Sequence, residues 1–142
     1  TGGKYDASAH VKIDLGQVDT SESRNTVDLY KNIAYVALGA DGMKAWDVAK
    51  ISDQAKYTMT KTDPNGEVVC NSVSSDGENA FLAMGAGGFW VAPLSLAGED
   101  GTLSPFQSVN FGASANFIAY DSTSNLIFIA GGLEGLKIVA KE

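Results

Sequence analysis

The sequence predicts an all-β chain in which one four-stranded antiparallel sheet is built three times over, the unit of a β-propeller blade. Three recurring markers predict it. Gly39/Gly42, Gly85/Gly88 and Gly132/Gly135 each form a G-x-x-G, the first glycines lying 46 and then 47 residues apart. An aromatic stands four residues ahead of each: Tyr35, Phe81 and Phe128. Further upstream an Asn-x-aliphatic recurs as Asn25–Val27, Asn71–Val73 and Asn116–Ile118. All three keep one phase, which random composition does not produce.

The strands follow from the segments between these markers. They are short, they alternate, and Val, Ile, Tyr and Phe are frequent in them. In the first repeat, 23–66, strand A is expected at 25–30, B at 33–39, C at 43–48 and D at 55–61. In the second, 67–112, the strands are expected at 71–75, 79–85, 89–94 and 105–111. The third, 113–142, supplies A at 116–120, B at 126–131 and C at 136–141, and stops short of a D strand. Each G-x-x-G falls between B and C, where a tight hairpin needs φ > 0. Asp63-Pro64-Asn65-Gly66 and Ser75-Asp76-Gly77 are turn clusters of the same kind. Small residues on B, namely Ala34, Ala37, Ala80, Ala83 and Ala130, allow neighbouring sheets to approach closely. No stretch sustains a 3.6-residue period, so almost no helix is expected.

The segment His10-Val11-Lys12-Ile13-Asp14-Leu15-Gly16 alternates like an outer strand and has the right phase. It would complete either a preceding blade or the third one. Residues 1–142 are thus expected to form a single propeller segment. Propellers have about four to eight blades, so three do not close a ring. The chain is expected to associate with itself, two copies making six blades, or with remaining blades of a longer protein.

Charge and composition exclude some partners. A formal net charge of −7 disfavours nucleic acid and anionic membrane. No apolar run approaches the length of a membrane span, and no secretory h-region is present. A chain opening on Thr reads as a processed or excised product. The single cysteine, Cys70, rules out an internal disulfide and reads as a small buried residue. His10 is the only histidine, so one chain cannot build a His-based metal site.

The order aromatic, G-x-x-G, then Leu/Met/Phe-x-aliphatic resembles the LVIVD-repeat family of bacterial propellers. The matching stretches are Tyr35 to Val48, Phe81 to Leu94 and Phe128 to Val139, so the resemblance covers 23–142. The Asp that closes strand C in that family is present only as Asp47, and Pro105 alone echoes its Pro-containing C–D connection. The resemblance implies an exported or cell-surface bacterial protein that binds a partner, and it implies no catalytic residues. Trp46-Asp47 is similar to the dipeptide of WD40 blades, but the accompanying Gly-His is missing and Trp46 reads as packing.

In a propeller the D–A and B–C connections share one face, and rigid sheets hold variable loops there. That face is expected to carry Asn25, Asn71 and Asn116 together with Asp41 and Glu134. Glu22, Arg24, Asp63 and Glu67 fall in the longer D–A loops. The repeated Asn admits two readings. One is a ring of amides at a channel mouth that binds a ligand; the other is an anchor by which each Asn secures its own loop. Repetition at one position favours the second. No H-E-x-x-H, G-x-S-x-G or phosphate loop occurs. Asp63-x-Asn65-Gly66-Glu67 lacks the ligand series of a calcium loop. No carboxylate pair is marked by spacing, and no metal or cofactor is expected. The expected function is a non-enzymatic binding module for a protein or glycan. Alternatives are a structural half-propeller and, third, a piece of a propeller hydrolase or lyase.

Overall fold

The computed structural model describes residues 26–50, 54–59 and 68–141. They form eleven strands in three separate antiparallel sheets. Sheet one runs β1 (Thr26–Tyr30), β2 (Ile33–Ala37), β3 (Met43–Asp47) and β4 (Tyr57–Met59). Sheet two runs β5 (Ser72–Ser75), β6 (Asn79–Ala83), β7 (Phe89–Pro93) and β8 (Gln107–Val109). Sheet three has three strands, β9 (Phe117–Asp121), β10 (Leu126–Ala130) and β11 (Leu136–Ala140). In every sheet consecutive strands are neighbours. Among the described residues the only helical turns are two short 3₁₀ segments, Leu94–Leu96 and Gly132–Glu134.

The first three strands of each unit fall within a residue or two of the expected ranges. The fourth strands are shorter than expected, three residues each. They are edge strands, and β8 buries none of its side chains, so packing gives it little reason to extend. The strand expected at 10–16, the turn at Asp63–Gly66 and Asn25 lie outside the described residues.

Strand alternation sorts side chains onto two faces, and the faces build the core. Tyr35, Ala37, Met43 and Ala45 leave one face of sheet one and pack against Val73, Ala80, Leu82 and Ala92 of sheet two. The opposite face of sheet two sends Phe81, Ala83 and Phe89 against Ile118, Ile127 and Ile129 of sheet three. Sheet two is therefore covered on both sides. Fully buried alanines at 37, 45, 80, 83 and 92 keep the backbones close. The Phe81 ring lies 5.6 Å from that of Tyr120 and 6.3 Å from that of Phe89. The first strands of the three sheets lie side by side, β1 against β5 and β5 against β9.

Backbone hydrogen bonds stitch the sheets together at the hairpin end. The Gly39 N–H donates to Cys70 O at 3.0 Å and Cys70 returns the bond at 2.8 Å. Gly85 and Ala115 repeat the exchange at 3.1 and 2.9 Å. The first glycines of the three hairpins hold φ of +59°, +53° and +54°, so the turn is one structure built three times. At the outer edge Thr58 donates to Gly101 O and accepts from the Leu103 N–H. Among the described residues the terminal sheets carry exposed apolar side chains on their outer faces, Val27 and Leu29 on β1 and Phe117, Leu136 and Ile138 on sheet three.

Candidate functional site

Of the residues singled out at the hairpin end, the structure describes Asn71, Asn116, Asp41 and Glu134, and it gives them different tasks. Asn71 is buried. Its N–H donates to Ala83 O within sheet two, and its Nδ2 donates at 3.0 Å to Ala115 O, just ahead of β9. Its side chain thus anchors the next sheet rather than its own loop. Asn116 does keep to its own loop, its Oδ1 accepting from Ser114 Oγ at 2.8 Å. Asp41 stands exposed on the β2–β3 hairpin. Glu134 is exposed on the β10–β11 turn and meets Lys137 Nζ at 3.1 Å. No hydrogen bond joins any two of these four residues among those described. Asn25, the fifth member, lies outside the described residues, as do Glu22, Arg24, Asp63 and Glu67.

A polar line that the sequence reading passed over runs between the first strands. Asp28 Oδ2 accepts from Ser74 Oγ at 2.8 Å and from the Ser75 N–H at 3.2 Å. Ser74 Oγ in turn accepts from the Tyr120 N–H at 3.1 Å. One carboxylate thereby ties sheet one to sheet two, and one hydroxyl passes the tie to sheet three. Asp28 and Ser74 hold the same place in their strands, three residues after Asn25 and Asn71, so the in-phase marker was available. A cavity of about 130 Å³ opens beside this line, lined by Thr26, Asp28, Ser72, Ser74, Phe117 and Ala119 among others.

The opposite end holds a second charged arrangement. The Asp76 side chain is only 3% exposed, and its Oδ2 meets Lys141 Nζ at 2.7 Å. The Glu78 and Asn79 N–H groups both donate to its Oδ1. Burial alone would raise this carboxyl, yet Lys141 and the Asn79 and Glu78 donors together hold it below the usual carboxylate range. The bond to Asp76 is the main reason that the Lys141 ammonium is pushed well above its ordinary value. Between sheets two and three a cleft of about 410 Å³ runs along β8 and β11, walled by Phe81, Phe89, Val91, Phe106 and Val139 among others.

Chemically reactive groups are sparse in the described residues. Burial pushes the Cys70 thiol up to about 12, so it carries almost no thiolate at neutral pH. No group of three or more His, Cys, Asp or Glu that could hold a metal ion occurs among the described residues. No helix among the described residues is long and apolar enough to cross a membrane. Trp90 donates its Nε1–H to Gly87 O at 3.0 Å and packs at the border of the first core cluster.

No family model matches the sequence, and no curated protein matches it significantly. Solved structures do match, two computationally designed proteins among them. The computationally designed Ika4 protein superposes with a TM-score of 0.57 at 9% identity, over 82% of this chain and 64% of the designed one. The computationally designed Ika8 protein gives 0.45 at 9% identity, over 80% of this chain and 44% of its own. The chain thus spans less than two thirds of the first designed protein. At this identity the likeness is one of fold alone, an all-β chain of repeated antiparallel sheets.

Proposed function

We propose that the three sheets are consecutive blades of an LVIVD-like β-propeller, and that the chain is a non-enzymatic interaction module of an exported or cell-surface protein. It would present its hairpin end to a protein or glycan. One observation carries the reading. The hairpins at 38–42 and 84–88 are bolted to the next sheet by paired backbone bonds, Gly39 with Cys70 and Gly85 with Ala115. Loops fixed in this way form a rigid platform, which lowers the entropy cost of binding. The sealed, largely un-ionised Cys70 supports the non-enzymatic part.

Peptide and glycan arrays probed with the purified chain test this. Binding to one class is expected, lost in Asp41→Asn together with Glu134→Gln while the far-ultraviolet circular dichroism stays unchanged. An array that retains full signal with the double variant would move the site elsewhere. A chain that captures neither class would overturn the reading. The open apolar faces of sheets one and three favour a second reading, a half-propeller that requires a neighbour.

A further inference from the structure

We infer that the chain pairs head to tail with a second copy of itself, the outer face of sheet three seating on the outer face of sheet one in the other copy. This rests on the blade reading above. The two seams inside the chain define what such a contact requires. Each has a projecting half, in which the B-strand aromatic (Tyr35, then Phe81) enters the next sheet. Each has a receiving half: Val73 paired across the strand with Leu82, then Ile118 paired with Ile129. A glycine bridge closes the hairpin end of both.

Sheet three repeats the projecting half. Phe128 opposes Ile138 just as Tyr35 opposes Ala45 and Phe81 opposes Val91. Gly132 holds the φ of Gly39 and Gly85, but it has no bridge partner among the described residues. Sheet one repeats the receiving half, Val27 opposing Val36 as Val73 opposes Leu82. Both halves keep exposed aliphatic side chains, Leu29 at 60% and Ile138 at 56%, although Trp46 on the same face of sheet one is only 3% exposed. Among the described residues one chain therefore carries a projecting face without a receiver and a receiving face without a projector. These are the two sides of a seam the molecule already makes twice. A contact between unlike faces joins copies in one direction and becomes a closed assembly when the rotation allows two of them to meet. The exposed aliphatic residues give it the desolvation on which the inner seams depend.

Light scattering coupled to gel filtration on the full 142-residue chain tests the inference. The wild type should show twice the chain mass. Leu29→Lys and Ile138→Lys, each at an exposed position, should separately fall to the single-chain mass. Mixed in equal amounts they should return to the double mass, because each brings the one intact face the other lacks. A mixture that stays single while the wild type pairs would mean that like faces meet, and would overturn the head-to-tail geometry. A wild type of single-chain mass would overturn the pairing itself. Amide exchange tells that failure from a failure of the blade reading. Slow exchange at Gly39, Cys70, Gly85 and Ala115 in a single chain leaves the blades standing, whereas fast exchange there removes both.

Discussion

Asp76 shows how far one side chain can be committed to structure. Its two oxygens accept from two backbone N–H groups, from Asn79 Nδ2 at 3.2 Å and from Lys141, so every donor around it depends on its charge. Asp76→Ala should cost about 2–4 kcal/mol, because it leaves several donors unpaired in a nearly dry place. The pH dependence has a definite sign. The Asp76 carboxyl lies below its ordinary 3.8 when folded, so its contribution is complete above that value and fades as pH falls further. Lys141 lies above its ordinary 10.5, so its contribution is complete below that value and fades at higher pH. Chemical denaturation of wild type and Asp76→Asn should therefore differ by a constant amount from about pH 4 to 10, converging only outside that window. Cys70 gives a second test at this scale. Its thiol is sealed and pushed up to about 12, so a maleimide at neutral pH should label it only as fast as the chain unfolds. Rapid labelling of the native chain would contradict the Gly39–Cys70 seam.

The strand elements were legible in the sequence because their signals are local. Alternation and a glycine turn sit within a dozen residues of each other, and β2, β3, β6, β7, β10 and β11 all begin where those signals place them. The partners of side chains were less legible. Asn71 reaches a carbonyl 44 residues away, and no local pattern announces that. Nor does composition reveal that Asp28 meets Ser74 across two sheets, although both lie in phase. The brevity of β4 and β8 depends on how little they bury, a tertiary property that propensity does not encode. The hairpin glycines allow a direct test of the element scale. Gly88 holds φ +77°, and an added Cβ would collide with the Val109 carbonyl and the Asn110 backbone, neither of which can swing aside. Gly88→Ala should cost more than the ~1–2 kcal/mol of the left-handed conformation alone, because it also pushes β8 off β7. A denaturation midpoint within error of wild type would show that the turn relaxes. Tyr35→Ala removes a ring buried at the seam between sheets one and two and should cost about 3–5 kcal/mol.

Among the described residues the molecule is a row of three sheets whose main contacts join each sheet to its neighbour, so its stability should be graded along the row. Sheet two has a sheet on either side, and its β5 and β6 are buried almost throughout. Among the described residues sheets one and three have one neighbouring sheet each, and sheet three has three strands. The carbonyls of Ala45 and Val91 accept from Lys56 and Phe106, while the corresponding Ile138 carbonyl has no such partner among the described residues. Local opening follows the number of buried apolar contacts and the exposure of backbone bonds. Native-state amide exchange in dilute solution should therefore rank Phe81, Leu82 and Ala83 slowest and the β11 amides fastest, by more than about tenfold. Raising the protein concentration separates intrinsic fraying from the lack of a neighbour. If sheets one and three are loose because their outer faces lack a partner, pairing of copies should slow exchange on β1, β9 and β11, since whatever binds only the closed form stabilises it by mass action. The amides of Phe81 to Ala83, already enclosed on both sides, should respond less. Rates on β11 that do not change with concentration would show that its edge frays for want of a fourth strand, not for want of a second copy.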